Sequence, residues 1–387
     1  MATRRLCWLK KRWPVAGALP AMLRRQKASC EQIDHKKSVL YKCEPVSWAN
    51  VPRPVRTALA YITVCLFSLC FLAVPILLLL LADLATFQLV PLSVSLSFIV
   101  CVAISLILPV REWPAARLVG QLWYELFDFH CNVSEEERHH FISEGDTAQF
   151  IIGMHPHGII PLQAILWTAY CEQYLSHGDR ALYGFGAAAD VTQYLPFLRN
   201  VMGWLSAGGA QYSTLLAGLV EGKSVPVNRN GGRRPRNLYI LPGGVAEVFV
   251  STPGQHTIVF KHRRGLTRLS LETGAKLMPC YVFGGTDFYN NFATADNPLA
   301  RLSRRLQMGL TLFWGPWSFL MPFVPYTPKV TMVIAPPLEV EKWDMAQGPI
   351  PAEKIESLHE QYVNSIRGLF EQYKAVAGYP DAVLKVV

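Results

Sequence analysis

Two imidazoles one residue apart, His155 and His157, stand with Pro156 and Gly158 at the end of the apolar run Phe150-Ile151-Ile152-Gly153-Met154. Imidazole takes and returns protons near neutral pH, and a strand that opens into a glycine turn presents it with little covering bulk. Such a pair serves equally as a structural feature or a metal-ligand set, so the residues that accompany it decide the reading. A second apolar run, Asn237 to Pro242, ends in Gly243-Gly244-Val245-Ala246-Glu247. Its two glycines permit positive φ and close backbone approach, and their N–H groups can form a small anion nest. Glu247 is then placed to orient an imidazole and to stabilise its charged form. The combination points to proton transfer beside a developing oxyanion. His157, His155 and Glu247 are the catalytic candidates, and Gly158, Gly243 and Gly244 are the oxyanion or turn candidates.

A third cluster, Lys261-His262-Arg263-Arg264, closes one apolar run and opens a helical one. Arginines at a helix start suit phosphate. Arg263 and Arg264, with Arg229 and Arg233 of the basic stretch 224–237, form a candidate phosphate patch; a solvated basic face is the alternative. His139 and His140 beside Glu135, Glu136 and Glu137 supply the residue types of a metal site, but the run reads better as a solvated helix, and no metal ligand is assigned.

From about Thr147 short apolar runs alternate with helical stretches, the pattern of an α/β domain. Strands are expected at 147–154, 181–186, 237–242, 256–261, 277–283 and 329–335, and helices at 161–176, 191–204, 212–222, 265–274 and 298–309. A long amphipathic helix is expected from Pro351 to about Ala375. The domain organisation read from this pattern has four parts. Residues 1–56 are a basic, largely disordered tail, and 57–110 a transmembrane or membrane-embedded helical hairpin. Residues 111–146 are an amphipathic connector at the membrane interface, and 147–387 an α/β domain with a mixed central sheet. Inside that domain an aromatic run near 310–326, broken by Gly315, Pro316, Pro322 and Pro325, is expected to touch the membrane.

The chain is 51% hydrophobic with mean hydropathy +0.20, and the excess is localised. No charged residue occurs from Thr57 to Ala82 or from Leu84 to Val110, with Asp83 alone between them. Each run exceeds the roughly 20 apolar residues that cross a hydrocarbon core. Residues 1–56 hold 13 basic against three acidic residues, net +10 where the whole chain is +9. Positive charge beside a span marks the cytosolic side, so both termini and the α/β domain are expected there. Attraction to anionic lipid accounts for the basic tail without nucleic acid. The first 30 residues lack acidic groups, which also resembles an organelle transit peptide, a plastid one included. Nine cysteines, an odd number with no C-x-x-C, fit reduced thiols.

As an ordered set, His155-Pro156-His157-Gly158, PGGVAE (242–247), RRGL (263–266), LMPCYVFGGTDFY (277–289), VPYTPKVTMVIAPPLEV (324–340) and LHEQYVNSIRGLFEQYKAVAGYP (358–380) resemble the type-2 diacylglycerol acyltransferase family, over roughly residues 55–387. That family includes monoacylglycerol and wax-alcohol acyltransferases. The resemblance implies a membrane-anchored acyltransferase that moves a fatty acyl group from acyl-CoA to a lipid hydroxyl, giving triacylglycerol when the acceptor is diacylglycerol. It implies an endoplasmic reticulum membrane, the lipid-droplet surface as a second location, and no cofactor, acyl-CoA being a substrate; a homo-oligomer stays open. Plant-like members keep only the second histidine of the motif, which favours His157 as base, with Glu247 behind it and His155 binding the acceptor or sharing the proton. The basic patch would hold the CoA phosphates. Departures are the leucine of RRGL, the partial fit of Phe71-Leu72-Ala73-Val74 to a lipid-binding pattern, and Phe129-His130-Cys131 where some members carry Tyr-Phe-Pro; they bear on acceptor and acyl preference. The H-x-x-x-x-D of glycerophosphate acyltransferases is absent, Ile160 and Leu162 standing at the aspartate positions. A metal-dependent lipid hydrolase and a non-catalytic lipid-droplet hairpin protein are the remoter readings.

Overall fold

The computed structural model describes residues 38–387 except 114, 146, 178–179, 182–183, 221–224, 227–232, 235–236, 293–296, 307–308 and 310. The basic tail expected over 1–56 therefore lies outside the described residues up to position 37. Eight strands make one mixed sheet: β1 (Tyr41–Lys42), β2 (His130–Cys131), β3 (Phe150–His155), β4 (Gly184–Ala188), β5 (Ala207–Gly209), β6 (Asn237–Ile240), β7 (Lys276–Phe283) and β8 (Thr331–Ile334). Their spatial order is β1-β2-β8-β7-β3-β6-β4-β5. From β7 to β5 every neighbour runs parallel, while β8 is antiparallel to β7 and β1 to β2. Parallel strands covered on both faces read as unbroken apolar runs, and all six residues of β3 are buried.

Alternation along β3 sends Phe150, Ile152 and Met154 to one face, and Ile151, Gly153 and His155 to the other. The first face packs under helices α4 (Ala116–Leu126) and α6 (Leu162–Tyr174). The second lies under α10 (Gly265–Thr273) and α12 (Ala352–Tyr373), whose stripe Leu358, Tyr362, Val363, Ile366, Leu369 and Phe370 has the helical repeat of a core-facing side. The other helices are α1 (Arg53–Leu69), α2 (Ala73–Ala85), α3 (Leu92–Ile107), α5 (Glu135–Glu144), α7 (Leu198–Trp204), α8 (Tyr212–Val220), α9 (Gly244–Val248) and α11 (Pro298–Leu306). The expected α/β alternation is found, with a difference at 256–261. His256–Ile258 pairs in parallel with Leu384–Val386 in a separate two-stranded ribbon.

The expected membrane region divides differently from the sequence reading. Arg53–Ala85 is one helical stretch of 33 residues, long and apolar enough to cross a membrane. Its first half, however, belongs to the folded domain. Ala60, Val64, Phe67 and Ser68 of α1 are buried against α4, Trp123 donates its indole N–H to Thr63 at 2.9 Å, and Arg56 forks onto Glu125. The return helix α3 has 16 residues. At 1.5 Å per residue that is about 24 Å, short of a hydrocarbon core of about 30 Å. Of the transmembrane or membrane-embedded hairpin expected over 57–110, the structure has an apolar projection of residues 73–107, with Leu78, Leu79, Leu96, Val100 and Ile107 exposed. Asp83 closes its turn, accepting the N–H groups of Leu89 and Val90 at 3.0 Å each. Arg199 of α7 clamps the far end, donating to the carbonyls of Ser105, Leu106 and Leu108. A cation at a helix C-terminus satisfies its last carbonyls.

The middle of the expected interfacial connector 111–146 packs into the domain core, while residues 111–113 and much of α5 are exposed. Leu122, Trp123, Tyr124, Phe127 and Phe129 are buried, and Gly120 admits α6 so closely that a Cβ there would lie 2.8 Å from that of Ala169. The aromatic loop behaves otherwise: Trp317, Phe319 and Leu320 are 59%, 62% and 80% exposed at its tip. Its base is tied to α1, since Tyr289 bonds the Ser68 hydroxyl at 2.6 Å and donates to the Phe323 carbonyl.

Candidate active site

In open α/β sheets the crevice beyond the carboxyl ends of parallel strands is where ligands bind. β3, β6 and β7 all end on that side here. β3 delivers His155-Pro156-His157-Gly158, with a cis peptide between His155 and Pro156, β6 leads into the Pro-Gly-Gly turn and α9, and β7 into Gly284-Gly285. The motifs separated by some ninety residues in sequence meet in one place: the Glu247 carboxylate accepts the main-chain N–H of His157 at 2.5 Å.

That contact differs from the expectation that Glu247 holds the His157 imidazole. One carboxylate oxygen takes the His157 N–H, and the other takes the N–H of Val259 at 2.8 Å and lies 3.7 Å from His155 Nδ1. Glu247 therefore pins the backbone of the histidine turn and faces the ring of the other histidine. It is fully buried, so both bonds form in a low-dielectric setting where charge-assisted donors count most. Gly243 makes room for it, because a Cβ at that position would fall 1.8 Å from the Glu247 carboxyl carbon. The turn gains two more supports. Gln163, at the start of α6, donates to the carbonyls of Pro156 and His157 at 2.8 Å each. Gly158 sits at φ +71° with the Gly285 carbonyl 2.5 Å from where a Cβ would stand.

The two imidazoles have different environments. His157 Nδ1 lies 2.9 Å from the Gly158 carbonyl, which can only accept. Nδ1 therefore carries the proton and Nε2 keeps its lone pair. The side chain is partly exposed, and burial pushes its pKa below the usual imidazole value; the Gly158 carbonyl and the Glu247 charge oppose this, while Arg263 adds to it. A neutral ring with an open Nε2 has a lone pair able to accept a proton. His155 is sealed, 0% exposed, with its ring edge against Phe260 and Tyr362. The Tyr362 hydroxyl donates to the Gly153 carbonyl at 3.1 Å and lies 3.2 Å from His155 Nε2. Burial holds that phenol well above its ordinary range, so it keeps its proton. Among the described residues His155 Nδ1 has no hydrogen-bond partner, and it lies 3.7 Å from a Glu247 oxygen.

Of the oxyanion or turn roles expected for Gly244, the geometry fits the turn: its N–H is spent on the Leu241 carbonyl at 3.0 Å and its φ is +50°. Arg264 forks onto Glu356 at 2.7 and 2.8 Å, locking α10 to α12 where a free phosphate ligand was expected. Arg263 donates to the Pro242 carbonyl at 3.0 Å, beside the catalytic turn. Arg229 and the side chain of Arg233 lie outside the described residues. His139 and His140 stand on α5, a helix opened by a Ser134–Glu137 capping box, and among the described residues no three His, Cys, Asp or Glu side chains converge as a metal site. Tyr362 and Gln163 were not singled out by sequence. Gly153, a glycine inside an apolar strand, was the available signal of a close approach: a Cβ there would be 2.1 Å from the Tyr362 hydroxyl.

A buried carboxylate thus pins a His-Pro-His-Gly turn at the carboxyl end of a parallel sheet, beside a partly exposed imidazole whose Nδ1 is held by the Gly158 carbonyl. The family model "Diacylglycerol acyltransferase" matches residues 129–387, and the chain belongs to that family. The match begins after the apolar projection. Diacylglycerol O-acyltransferase 2-like protein 6 of Mus musculus is 29% identical over 246 residues, 59% of this chain and 67% of the relative. Diacylglycerol O-acyltransferase 2 of Xenopus laevis is 29% identical over 262 residues, covering 61% and 64%, and that of Mus musculus 29% over 259, covering 62% and 61%. The chain thus spans roughly three-fifths to two-thirds of the length of these relatives.

Proposed function

We propose that this chain transfers a fatty acyl group from acyl-CoA to the free hydroxyl of diacylglycerol, forming triacylglycerol. The observation that carries the reading is the His157 ring, held by the Gly158 carbonyl with Nε2 open, on a turn fixed by Glu247. Nε2 takes the hydroxyl proton as the alkoxide oxygen attacks the thioester carbonyl. The tetrahedral oxyanion collapses, the C–S bond breaks, and the proton passes from His157 to the leaving CoA sulfur. No acyl-enzyme forms and the step invokes no cofactor. For the oxyanion, the N–H groups of Gly158 and Gly243 have no acceptor among the described residues and are its donors. Glu247 and Tyr362 act on the rings and backbone, not on the substrate.

The apolar projection supports a membrane setting, and its geometry favours a hairpin sunk into one leaflet over two complete spans. The loop tip at Trp317, Phe319 and Leu320 shares its anchorage with α1 through Tyr289, which favours a second lipid contact on the same side. An acceptor that lives in the bilayer then reaches the site laterally, and displaced water protects the thioester. The charge pattern and the family support an endoplasmic reticulum surface, cytosolic termini and lipid-droplet association. The names of the relatives favour diacylglycerol over monoacylglycerol or a wax alcohol.

The test incubates membranes from a triacylglycerol-free host expressing the full chain with labelled acyl-CoA and each acceptor in turn. Labelled triacylglycerol from added diacylglycerol is the expected product. Label in diacylglycerol or wax ester alone would move the assignment to the corresponding acceptor, and label in free fatty acid alone would indicate a hydrolase.

A further inference from the structure

The turn Lys261-His262-Arg263-Arg264 distributes its cations to two sides. Arg263 faces the catalytic turn, bonded to Pro242 and depressing the His157 pKa by its charge. Lys261, His262 and Arg264 face a groove of about 460 Å³ whose opposite wall is α12, contributing His359, Asn364 and Arg367. Two carboxylates also line it. Glu356 is taken by the Arg264 fork, and Glu360 shares the lining with Lys261 and Arg367, neither of which makes an ion pair among the described residues.

His359 supplies a second, independent sign of a ligand. It is 3% exposed, and its Nε2 lies 2.9 Å from Arg264 Nη1. Guanidinium only donates, so Nε2 is the acceptor and the neutral ring carries its proton on Nδ1. Among the described residues that Nδ1 is buried without a hydrogen-bond partner, while the ring also interacts with the Lys261 carbonyl. A buried donor without an acceptor, in the wall of a groove with unpaired cations, fits an oxyanion. Phe260 stacks on His359 at 4.9 Å and meets His155 edge-on at 5.2 Å, so one aromatic ring touches both the groove lining and the histidine motif.

We propose that this groove seats the phosphate-bearing nucleotide end of the acyl donor, so that the donor crosses the 261–264 turn with its thioester at His157. The inference rests on the acyl-CoA reading above and adds the place where the donor is held. Coenzyme A has the required shape, with phosphates at one end, the thioester at the other and the pantetheine arm between them. A phospholipid headgroup brings the same phosphate chemistry, and the test separates the two sources.

The experiment uses the full chain in detergent and measures binding of free CoA and of dephospho-CoA without turnover, then initial rates against acyl-CoA. The Lys261→Gln/Arg367→Gln double variant is expected to bind CoA about tenfold more weakly, with a smaller loss for dephospho-CoA, and to show the loss in the KM for acyl-CoA and not in that for diacylglycerol. Glu360→Gln removes the opposing charge and is expected to tighten CoA, a change of sign that misfolding cannot imitate. Unchanged CoA affinity in the double variant, or loss of binding to phosphatidic acid vesicles with CoA binding intact, would overturn the proposal. Groove-dependent CoA binding in a wild-type protein that transfers no acyl group would sink the transferase reading and leave the groove assignment standing.

Discussion

Glu247 spends both oxygens on main-chain N–H groups, so its effect on His157 is exerted through the backbone that carries the ring. Glu247→Gln keeps the shape but loses the charge and turns an NH2 toward one N–H. Hydrogen bonds to a charged group contribute about 1.5–3 kcal/mol, so kcat is expected to fall about tenfold to a hundredfold, read in steady-state rates on isolated membranes. The depressed His157 pKa gives a second prediction. A base whose pKa is lowered stays deprotonated further into acid, so the acid limb of kcat/KM lies below the ordinary imidazole value of about 6.5. Arg263→Gln removes one of the lowering influences and should move that limb to higher pH; an unmoved limb would detach Arg263 from the base. At this scale the sequence could single out His155, His157 and Glu247 as candidates that the fold brings together, because chemistry restricts residue type. Their division of labour was not legible. Whether a carboxylate meets a ring or an amide depends on ångström-scale placement, and Tyr362 lies 207 residues from His155 in sequence.

β3 and α12 are fitted to each other at Gly153 and Tyr362. Gly153→Ala would force the phenol off its bonds to the Gly153 carbonyl and His155, and overpacking of this kind costs about 1–3 kcal/mol. Denaturant unfolding should show that loss, and Gly153→Ala combined with Tyr362→Phe should recover part of it, since the clashing oxygen is gone. Additive losses would mean the two positions are not coupled. The long strands and helices of 147–387 were readable from periodicity because each runs through several repeats of its pattern. β1, β2 and β5 have two or three residues, too few for a period to declare itself. The connector 111–146 shows a different limit: an amphipathic pattern announces an apolar partner without saying whether it is lipid or protein, and here Ala169 and Ile165 of α6 take that place.

Across the whole molecule, the projection 73–107 and the loop tip at 317–320 leave the domain from places joined by the Ser68–Tyr289–Phe323 linkage. Replacing Trp317, Phe319 and Leu320 together by serine removes side chains whose full burial is each worth about 1.5–3 kcal/mol. Activity toward diacylglycerol in bilayers should fall by at least tenfold, with far less effect on a short-chain acceptor that is dispersed in water. Equal losses on both acceptors would mean that the loop supports the fold and not lipid access. The sequence announced this apolar excess plainly. It did not announce where the domain ends, since the buried stripe Ala60, Val64 and Phe67 is as apolar as the exposed leucines beyond it. The most direct check of the central claim is the initial rate of labelled triacylglycerol formation by His157→Gln beside wild type, in membranes holding equal amounts of each. An open Nε2 acting as base predicts a fall in kcat of at least about a hundredfold with the chain still membrane-bound. A rate within about threefold of wild type would contradict it, because general-base loss does not cost so little.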